Sequence, residues 1–304
     1  ATIASRKVSG SRRSRSNGAS GITLQSVSSN GGSNTGIWLK DAGSGGFTVT
    51  GLGSTAASGG TIANKSGSDG STSSGVGVYL ANTSNVSLSN IALTGPFSNY
   101  GIRGDAVNNF TLRDSTLSGQ FGNNLAIDED AIRFGTQSGA TNGLTGTALF
   151  EGNNISGGYE NNISIYNYGS GSLNATFRDS ANDQAVVGSQ GVDLGGGVHT
   201  GNDGILIESA GTSAFNLTVL VDGVTFTAAR GDFVQTAAGG NTIQNVTVQN
   251  NTFHNTHVNV TSGGGGMTIS GGGNTSDYTL NYNISNNSFR GAEGSAIVVS
   301  TIGR

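Results

Sequence analysis

The sequence contains no cysteine, one proline and one methionine among 304 residues, and only 11% of its residues are charged. The absence of cysteine excludes a disulfide framework and a thiolate metal site. A single proline is typical of a chain made mostly of paired strands, because proline cannot donate a hydrogen bond to a strand ladder. No apolar run approaches the ~18 residues of a membrane-spanning helix, so no membrane span is predicted.

Glycine is abundant, with 53 residues, yet the sequence does not have the composition of a disordered chain. Disordered chains are usually rich in proline and charge and poor in β-branched residues. Here valine, isoleucine and phenylalanine recur in short alternating runs. The length suffices for one elongated domain or two compact ones. The chain starts at Ala1 without a leader, so we expect a mature or excised piece of a secreted protein.

Charge is distributed unevenly along the chain. The segment from Ala1 to Arg15 holds five basic side chains and no acidic one, whereas the remainder holds 9 basic and 18 acidic side chains, a net charge of −9. Such an arm can bind nucleic acid, a membrane surface or the acidic body of another copy, or it can remain a solvated tail. We predict a basic arm over residues 1–20 and one folded domain over residues 21–304, with self-association through the arm and no nucleic-acid partner. The basic residues are Arg6, Lys7, Arg12, Arg13 and Arg15.

An apolar template recurs along the chain: two apolar residues two positions apart, four mostly polar residues, and a third apolar residue. Residues two apart lie on one face of a strand, and asparagine or aspartate favours the turn that follows. Successive closing residues are separated by the interval typical of a solenoid repeat, except between Ile155 and Phe226, where the gap fits two coils with Ala175 and Phe177 in the middle coil. The closing residues are Leu93, Leu117, Ile155, Phe226, Phe253 and Phe289.

A second class of short apolar strands alternates with this template and mostly precedes it. No convincing 3.6-residue apolar stripe lies between the strands, which argues against helical repeats. The members are 78–80, 101–103, 131–134, 163–165, 205–207, 233–234 and 297–299. We therefore predict an all-β, single-stranded, right-handed parallel β-helix (β-solenoid). Roughly eleven coils at about 4.8 Å each give a rod on the order of 50 Å long. Phe226, Phe253 and Phe289 are expected to stack inside it.

Several segments resemble the β-strand-repeat, right-handed β-helix regions of large bacterial cell-surface, adhesin-like proteins. The resemblance covers about residues 20–304, and pectate-lyase-like folds share its architecture. It implies an extracellular or cell-surface location, a structural or adhesive role, and no assigned catalytic residue. The segments are NVSLSNIALTG, YGIRGDAVNNFTLRDSTLSG, GNDGILIESAGTSAFNLTV, NVTVQNNTFHN and NNSFRGAEGSAIVVS.

Polysaccharide cleavage needs two carboxylates that face one groove, and the candidate acids are few. Asp128, Glu129 and Asp130 form an acidic run, interpreted as a solvated turn or, as an alternative, a weak calcium site. Asp203 lies in GNDGI, which is similar to the polygalacturonase segment that carries a catalytic aspartate. The Gly-His-Gly and Arg-Ile-Lys motifs of that family are missing. We predict no enzyme activity, no catalytic residue and no cofactor.

The histidines do not form an obvious metal site. His254 and His257 are three positions apart, which places them on opposite faces of a strand unless a turn intervenes. His199 is isolated in a glycine-rich segment, and Asp69 lies in an isolated GSDG rather than in a calcium-binding repeat. No nucleophile elbow and no phosphate-binding loop occurs. We therefore predict no metal site.

Arg103 and Arg133 occupy equivalent positions in two predicted strands. Like charges across a ladder destabilise it unless a partner is shared, and Asp105 or Asp128 is the expected partner. The alternative is a lane for anionic glycans, to which Tyr159, Tyr166 and Tyr168 would add stacking surface.

Asn-x-Ser/Thr triplets are frequent in the sequence. Each is a glycan acceptor in a eukaryotic secreted protein or a chance product of the composition, and the bacterial resemblance favours chance. Triplets begin at Asn82, Asn85, Asn109, Asn154, Asn216, Asn245, Asn283 and Asn286.

The expected function is thus an extracellular structural or adhesive solenoid that assembles end to end into a filament, with glycans as a further class of partner. The alternative is a polysaccharide-binding or polysaccharide-degrading β-helix protein. The strand at residues 297–299 begins another coil without a charged cap, and uncapped solenoid ends favour stacking.

Overall fold

A computed structural model describes residues 21–124, 127–191, 194, 200–210, 214–261, 264–272 and 278–302. The predicted basic arm and His199 lie outside these residues. Within them all regular structure is β-strand, with no helix, and no helix long and apolar enough to cross a membrane is found there. The strands build a parallel β-helix, so the fold class predicted from the sequence is confirmed.

Each coil consists of a first limb, a second limb and a closing strand. The two limbs belong to one sixteen-stranded sheet that wraps around two sides, and the closing strands form a nine-stranded sheet. The first-limb strands are β3 (Ile37–Gly43), β10 (Ile132–Phe134), β13 (Ile163–Asn167), β16 (Ile205–Ser209), β19 (Val234–Ala238), β22 (Met267–Gly272) and β25 (Ile297–Ile302). The second-limb strands are β1 (Ile22–Leu24), β4 (Phe47–Val49), β11 (Leu144–Glu151), β14 (Gly171–Arg178), β17 (Phe215–Asp222), β20 (Thr242–Gln249) and β23 (Thr279–Ser285).

Two long strands, β6 (Val78–Ser89) and β8 (Ile102–Arg113), run through both limbs without a break. The closing strands are β2 (Ser29–Asn30), β5 (Gly60–Ala63), β7 (Ile91–Thr94), β9 (Thr116–Ser118), β12 (Asn154–Ile155), β15 (Val186–Val187), β18 (Thr225–Phe226), β21 (Thr252–His254) and β24 (Ser288–Arg290). These nine strands mark nine coils in the described part of the chain. The expectation of roughly eleven coils stays a prediction.

Every strand pair in the described residues is parallel, because each strand pairs with its equivalent one coil further on. β14 and β17 pair residue for residue from Gly171 with Phe215 to Arg178 with Asp222. Side chains alternate between the interior and the surface along these strands, as the burial of β17 shows. Most of the template residues predicted from the sequence point inward and are buried in the core, together with the inward-facing residues of the second strand class. Burial is incomplete in the last described strands, where Phe289 is partly buried and Tyr282 is 56% exposed.

Stacked phenylalanine rings fill the interior on the closing side. The ring centroids of Phe226 and Phe253 are 4.8 Å apart, and those of Phe253 and Phe289 are 4.4 Å apart. The predicted ladder is confirmed. A second stack, which the sequence did not suggest, joins Phe150 to Phe177 at 4.8 Å. Offset stacking of this kind adds about 0.5–1.5 kcal/mol per pair beyond the burial of area.

The turn between the second limb and the closing strand has two residues with distinct roles. Its first residue is left-handed, as at Asn250 (φ 59°) and Asn286 (φ 55°), which asparagine tolerates. Its second residue turns inward: Asn251 Oδ1 accepts from the amide of Val224 at 2.8 Å, and its Nδ2 donates to the carbonyl of Val221 at 3.0 Å. This asparagine therefore ties one coil to the preceding one.

Candidate functional site

The acidic residues singled out in the sequence meet at the turns that lead into the first limb. We call Tyr100, Asp130, Asn161, Asp203 and Asp232 the turn row, because they occupy the same place in five successive coils. Backbone bonds fix this register: the amide of Ala131 donates to the carbonyl of Asn161 at 3.1 Å, and that of Asn162 to the carbonyl of Asp203 at 3.1 Å.

Side chains of the turn row join each coil to the next. Asp130 Oδ1 accepts from the amide of Asn161 at 2.8 Å, and Asn161 Oδ1 accepts from the amide of Asp203 at 3.0 Å. Asp203 Oδ1 continues the series by accepting from the amide of Asp232 at 2.7 Å. Aspartate and asparagine thus play the same part, since each supplies one acceptor oxygen to an otherwise unpaired amide.

Asp130 is fully buried within this row. Besides the amide of Asn161, it accepts from Asn161 Nδ2 at 2.9 Å and from the hydroxyl of Ser164, and Arg133 Nη1 lies 3.4 Å from its Oδ2. Burial raises the pKa of Asp130, and the Arg133 guanidinium opposes that rise. The carboxylate is held by four donors, so its free energy of desolvation is offset by hydrogen bonds.

Glu129 is also buried, and its Oε2 accepts from the amides of Asn123 at 2.6 Å and Asn124 at 3.1 Å. The interpretation of the acidic run as a solvated turn is therefore wrong for Glu129 and Asp130. Both carboxylates are used to hold neighbouring loops. Only Asp128 keeps partial exposure, with 32% of its side chain accessible. In the residues that the structure describes, no group of three carboxylate or imidazole side chains comes together to hold a metal.

Two further carboxyl groups have pKa values near neutrality. Burial, together with the charges of the neighbouring acids Asp232, Glu160 and Asp130, raises the pKa of Asp203 to about 8. Burial also raises the pKa of the half-buried Glu160 to about 7, with Asp130 and Asp128 adding to the shift. A carboxyl group with such a pKa can act as a general acid. Asp203, however, is only 1% exposed and its Oδ1 is used to join coils.

Arg103 and Arg133 are register partners in adjacent coils, as predicted. They do not share a counter-ion, because Arg103 Nη2 pairs with Asp105 Oδ2 at 3.0 Å and Arg133 Nη1 with Asp128 Oδ2 at 3.5 Å. Arg133 also lies over the ring of Tyr166, 4.8 Å from its centroid. Both arginines are buried and each is paired with its own aspartate, so these contacts favour the structural interpretation over a glycan lane.

The tyrosines expected to add stacking surface lie mostly inside the protein. Tyr159 is 4% exposed and Tyr166 is fully buried, so neither can stack on a sugar. Tyr168 is half-buried, and its hydroxyl donates to Glu208. The expectation of a tyrosine surface is therefore wrong for the first two residues.

An exposed aromatic pair that the sequence analysis missed lies on the same outer row of the first limb. Trp38 pairs in register with Tyr79, and Tyr79 with Arg103. The Trp38 and Tyr79 ring centroids are 4.6 Å apart, and Trp38 is 47% exposed. Extending the second strand class upstream to Ile37-Trp38-Leu39 would have found it.

The remaining candidates do not meet at one place. His254 lies in β21, whereas His257 follows it in a turn where its Nδ1 accepts from the amide of Asn259 at 3.1 Å. Asp69 Oδ2 accepts from Asn124 Nδ2 at 2.6 Å.

The asparagines of the eight triplets named above lie at the surface, fully or partly exposed. Several of them pair with their neighbours in the next coil. Asn109 Nδ2 donates to Asn85 Oδ1 at 2.9 Å, and Asn286 Nδ2 donates to Asn250 Oδ1 at 3.4 Å. These amides therefore have a structural role in the rod.

Comparisons with protein-family models, with curated proteins and with solved structures give no match.

Proposed function

We propose that this chain is an extracellular structural and adhesive β-solenoid whose rods associate end to end. The observation that carries the proposal is the use of the turn-row carboxylates. Asp130 and Asp203, the two candidate acids from the sequence that lie in the turn row, are both buried and engaged with the next coil. A repeated architecture in which polar side chains join coils is typical of a scaffold.

End-to-end association is supported by the last described strands, β23, β24 and β25. Phe289 stacks on Phe253 at 4.4 Å yet is only partly buried, and Tyr282 is 56% exposed. A second copy that packed on these apolar side chains would make a head-to-tail contact, and head-to-tail contact generates a filament. The basic residues of the arm add attraction to the acidic body.

Light scattering on the purified chain at low and high salt tests the association, with a variant lacking residues 1–20 as the control for the arm. We expect the scattering mass to rise with concentration and to fall when the arm is removed or salt is added. A strictly monomeric species at high concentration and low salt would contradict the proposal.

An activity assay on acidic polysaccharides separates the scaffold from the enzyme alternative. We expect no release of reducing or unsaturated ends by the native chain. The matched variants are Asp203→Asn and Glu160→Gln, because these are the two carboxyl groups with pKa values of about 8 and about 7. Cleavage of a polysaccharide by the native chain that is lost in either variant, with the variant still folded, would show that the protein is an enzyme.

Polysaccharide binding is a second candidate function, favoured by the exposed Trp38 beside Tyr79. The face of an aromatic ring attracts the slightly positive C–H groups of a sugar, and the exposed Lys40 lies two residues from Trp38 on the same side of β3. Trp38→Ala is expected to abolish retention on a polysaccharide affinity gel. Unchanged retention of this variant would contradict a site at this pair.

A further inference from the structure

A groove of about 510 Å³ lies where the first limb bends into the second. Its walls come from three successive coils, with Asn108 of β8, Thr145 of β11 and Ser172 of β14. Thr141, Asn142 and Ser170 complete the polar lining, and the other lining residues are glycine and alanine. The groove is shallow and largely open to solvent, so a ligand would lie along it and would not be enclosed.

The polar groups of the groove are held in place before any ligand arrives. Asn108 Nδ2 donates to Thr145 Oγ1 at 3.1 Å. Asn142 Nδ2 donates to the carbonyl of Ser170 at 2.8 Å, and its Oδ1 accepts from the amide of Gly169 at 2.8 Å. Preorganised groups lose little conformational entropy on binding, which favours affinity.

None of the lining residues carries a charge or a large apolar side chain. An anionic ligand would find no cation there, and an apolar ligand would desolvate hydroxyl and amide groups without replacing their hydrogen bonds. An extended peptide would need a free strand edge, yet β11 is paired on both sides, with β8 and with β14. A neutral, hydroxyl-rich ligand satisfies these constraints.

Two rows of outward-facing residues without charge continue from the groove along the second limb. From Ser172 the outer row continues through Asn216, Ile243 and Thr279 in register. A parallel row carries Asn174, Thr218, Asn245 and Asn281. Charged residues of these second-limb strands occur only at the last strand position, at Glu151, Arg178 and Asp222. These two rows offer no ionic partner to a charged ligand, so they are complementary to a neutral one.

We propose that this groove binds a neutral, linear polysaccharide that runs along the axis of the rod. Successive coils are about 4.8 Å apart, which is close to the length of one sugar residue, so each coil can offer one hydroxyl or amide group to one sugar. The inference rests on the adhesive role proposed above, names its ligand class, and places it apart from Trp38.

Titration calorimetry with four neutral hexasaccharides (cellohexaose, xylohexaose, mannohexaose and maltohexaose) and with hexagalacturonate as the acidic probe tests the site. We expect at least one neutral probe to bind the native chain, and Ser172→Arg to weaken that binding by tenfold or more. Thr252→Arg is the matched control, because it places the same side chain on an exposed position of the closing sheet.

The calorimetric titration distinguishes a glycan site in the groove from one at the Trp38–Tyr79 pair. Three results would contradict the proposed site in the groove. They are the absence of binding by all neutral probes, binding of hexagalacturonate alone, and equal affinity of Ser172→Arg and the native chain for a neutral probe. Loss of binding in Trp38→Ala but not in Ser172→Arg would also overturn it and assign the glycan to the aromatic pair. The light-scattering assay measures association of the rods independently of glycan binding. Absence of a glycan site in the groove would therefore not contradict the proposed scaffold role.

Discussion

The Nη1 atom of Arg133 lies 3.4 Å from Oδ2 of Asp130, and the Asp130 side chain is completely excluded from solvent. Hydrogen bonds from Asn161 and Ser164 hold the same carboxylate. A charge buried in this way depends on its partner, because removing one member leaves the other desolvated without compensation.

Replacing Arg133 by methionine is therefore expected to lower the free energy of unfolding by about 3–5 kcal/mol. The double variant Asp130→Asn/Arg133→Met should be more stable than the single Arg133→Met variant, since it removes the orphaned charge. Urea unfolding measures both. Arg178→Met is the control: this exposed arginine pairs with Glu151 at 2.8 Å, and its loss should cost less than about 1 kcal/mol. Equal costs for the two arginines would contradict the buried pair.

Stability is expected to fall as the pH rises from 5 to 8.5, and Asp203 is the principal cause. Its pKa in the folded chain is about 8, above the ordinary value of 3.8, so the folded state binds the extra proton. The contribution of Asp203 to stability is fully present below the pKa that this residue has in the unfolded chain. It is lost as the pH rises through the pKa that the residue has in the folded chain. Glu160, with a pKa of about 7, acts in the same direction.

Asp203→Asn should remove much of this pH dependence, because asparagine keeps the acceptor oxygen and carries no charge, as Asn161 does one coil earlier. The measurement is the melting temperature between pH 5 and 8.5. Asp183→Asn, at an exposed loop position, is the control and should follow the native profile. A native chain whose melting temperature rises with pH would refute the assignment.

Phe253→Ala is expected to cost about 3–5 kcal/mol, the usual range for a buried phenylalanine. The ring is fully buried between Phe226 and Phe289, so its removal leaves a cavity inside the closing side of the rod. Thr252→Ala, on the exposed face of the same strand, controls for the local backbone. A melting transition that is unchanged in Phe253→Ala would show that the ring does not support the stack.

Asn251→Ala is expected to cost about 1–3 kcal/mol, because it leaves the amide of Val224 without the acceptor that Asn251 Oδ1 supplies. Asn245→Ala removes an asparagine that accepts from Asn281 Nδ2 at 2.9 Å at the surface, and it should change stability by less than about 0.5 kcal/mol. Chemical denaturation of both variants measures the difference. Similar costs for the two would mean that the inward-turned asparagine does not hold the coils together.

The sequence was sufficient for the architecture from β6 onward, where the apolar spacing is regular. The apolar spacing did not predict the first coils, because a loop separates Val49 of β4 from the closing strand β5. Ile62 therefore follows Val49 at a much longer interval than Leu93 follows Leu88. Trp38 was missed with that coil. The partners of Asp130 and Asp203 lie one coil further along the chain, and only the register of the folded sheet brings them together.

The register between β17 and β20 has a consequence for how such a rod changes in length. Phe215 pairs with Thr242, Thr225 with Thr252, and the amide of Val224 with Asn251, always at the same offset along the chain. The same offset holds along the second limb and the closing strand. Deletion of one whole repeat, from a residue of β17 to the residue before its register partner in β20, would therefore join equivalent positions of two coils, and no side chain would move from the core to the surface. The rod can therefore gain or lose whole coils, and each coil changes its length by about 4.8 Å.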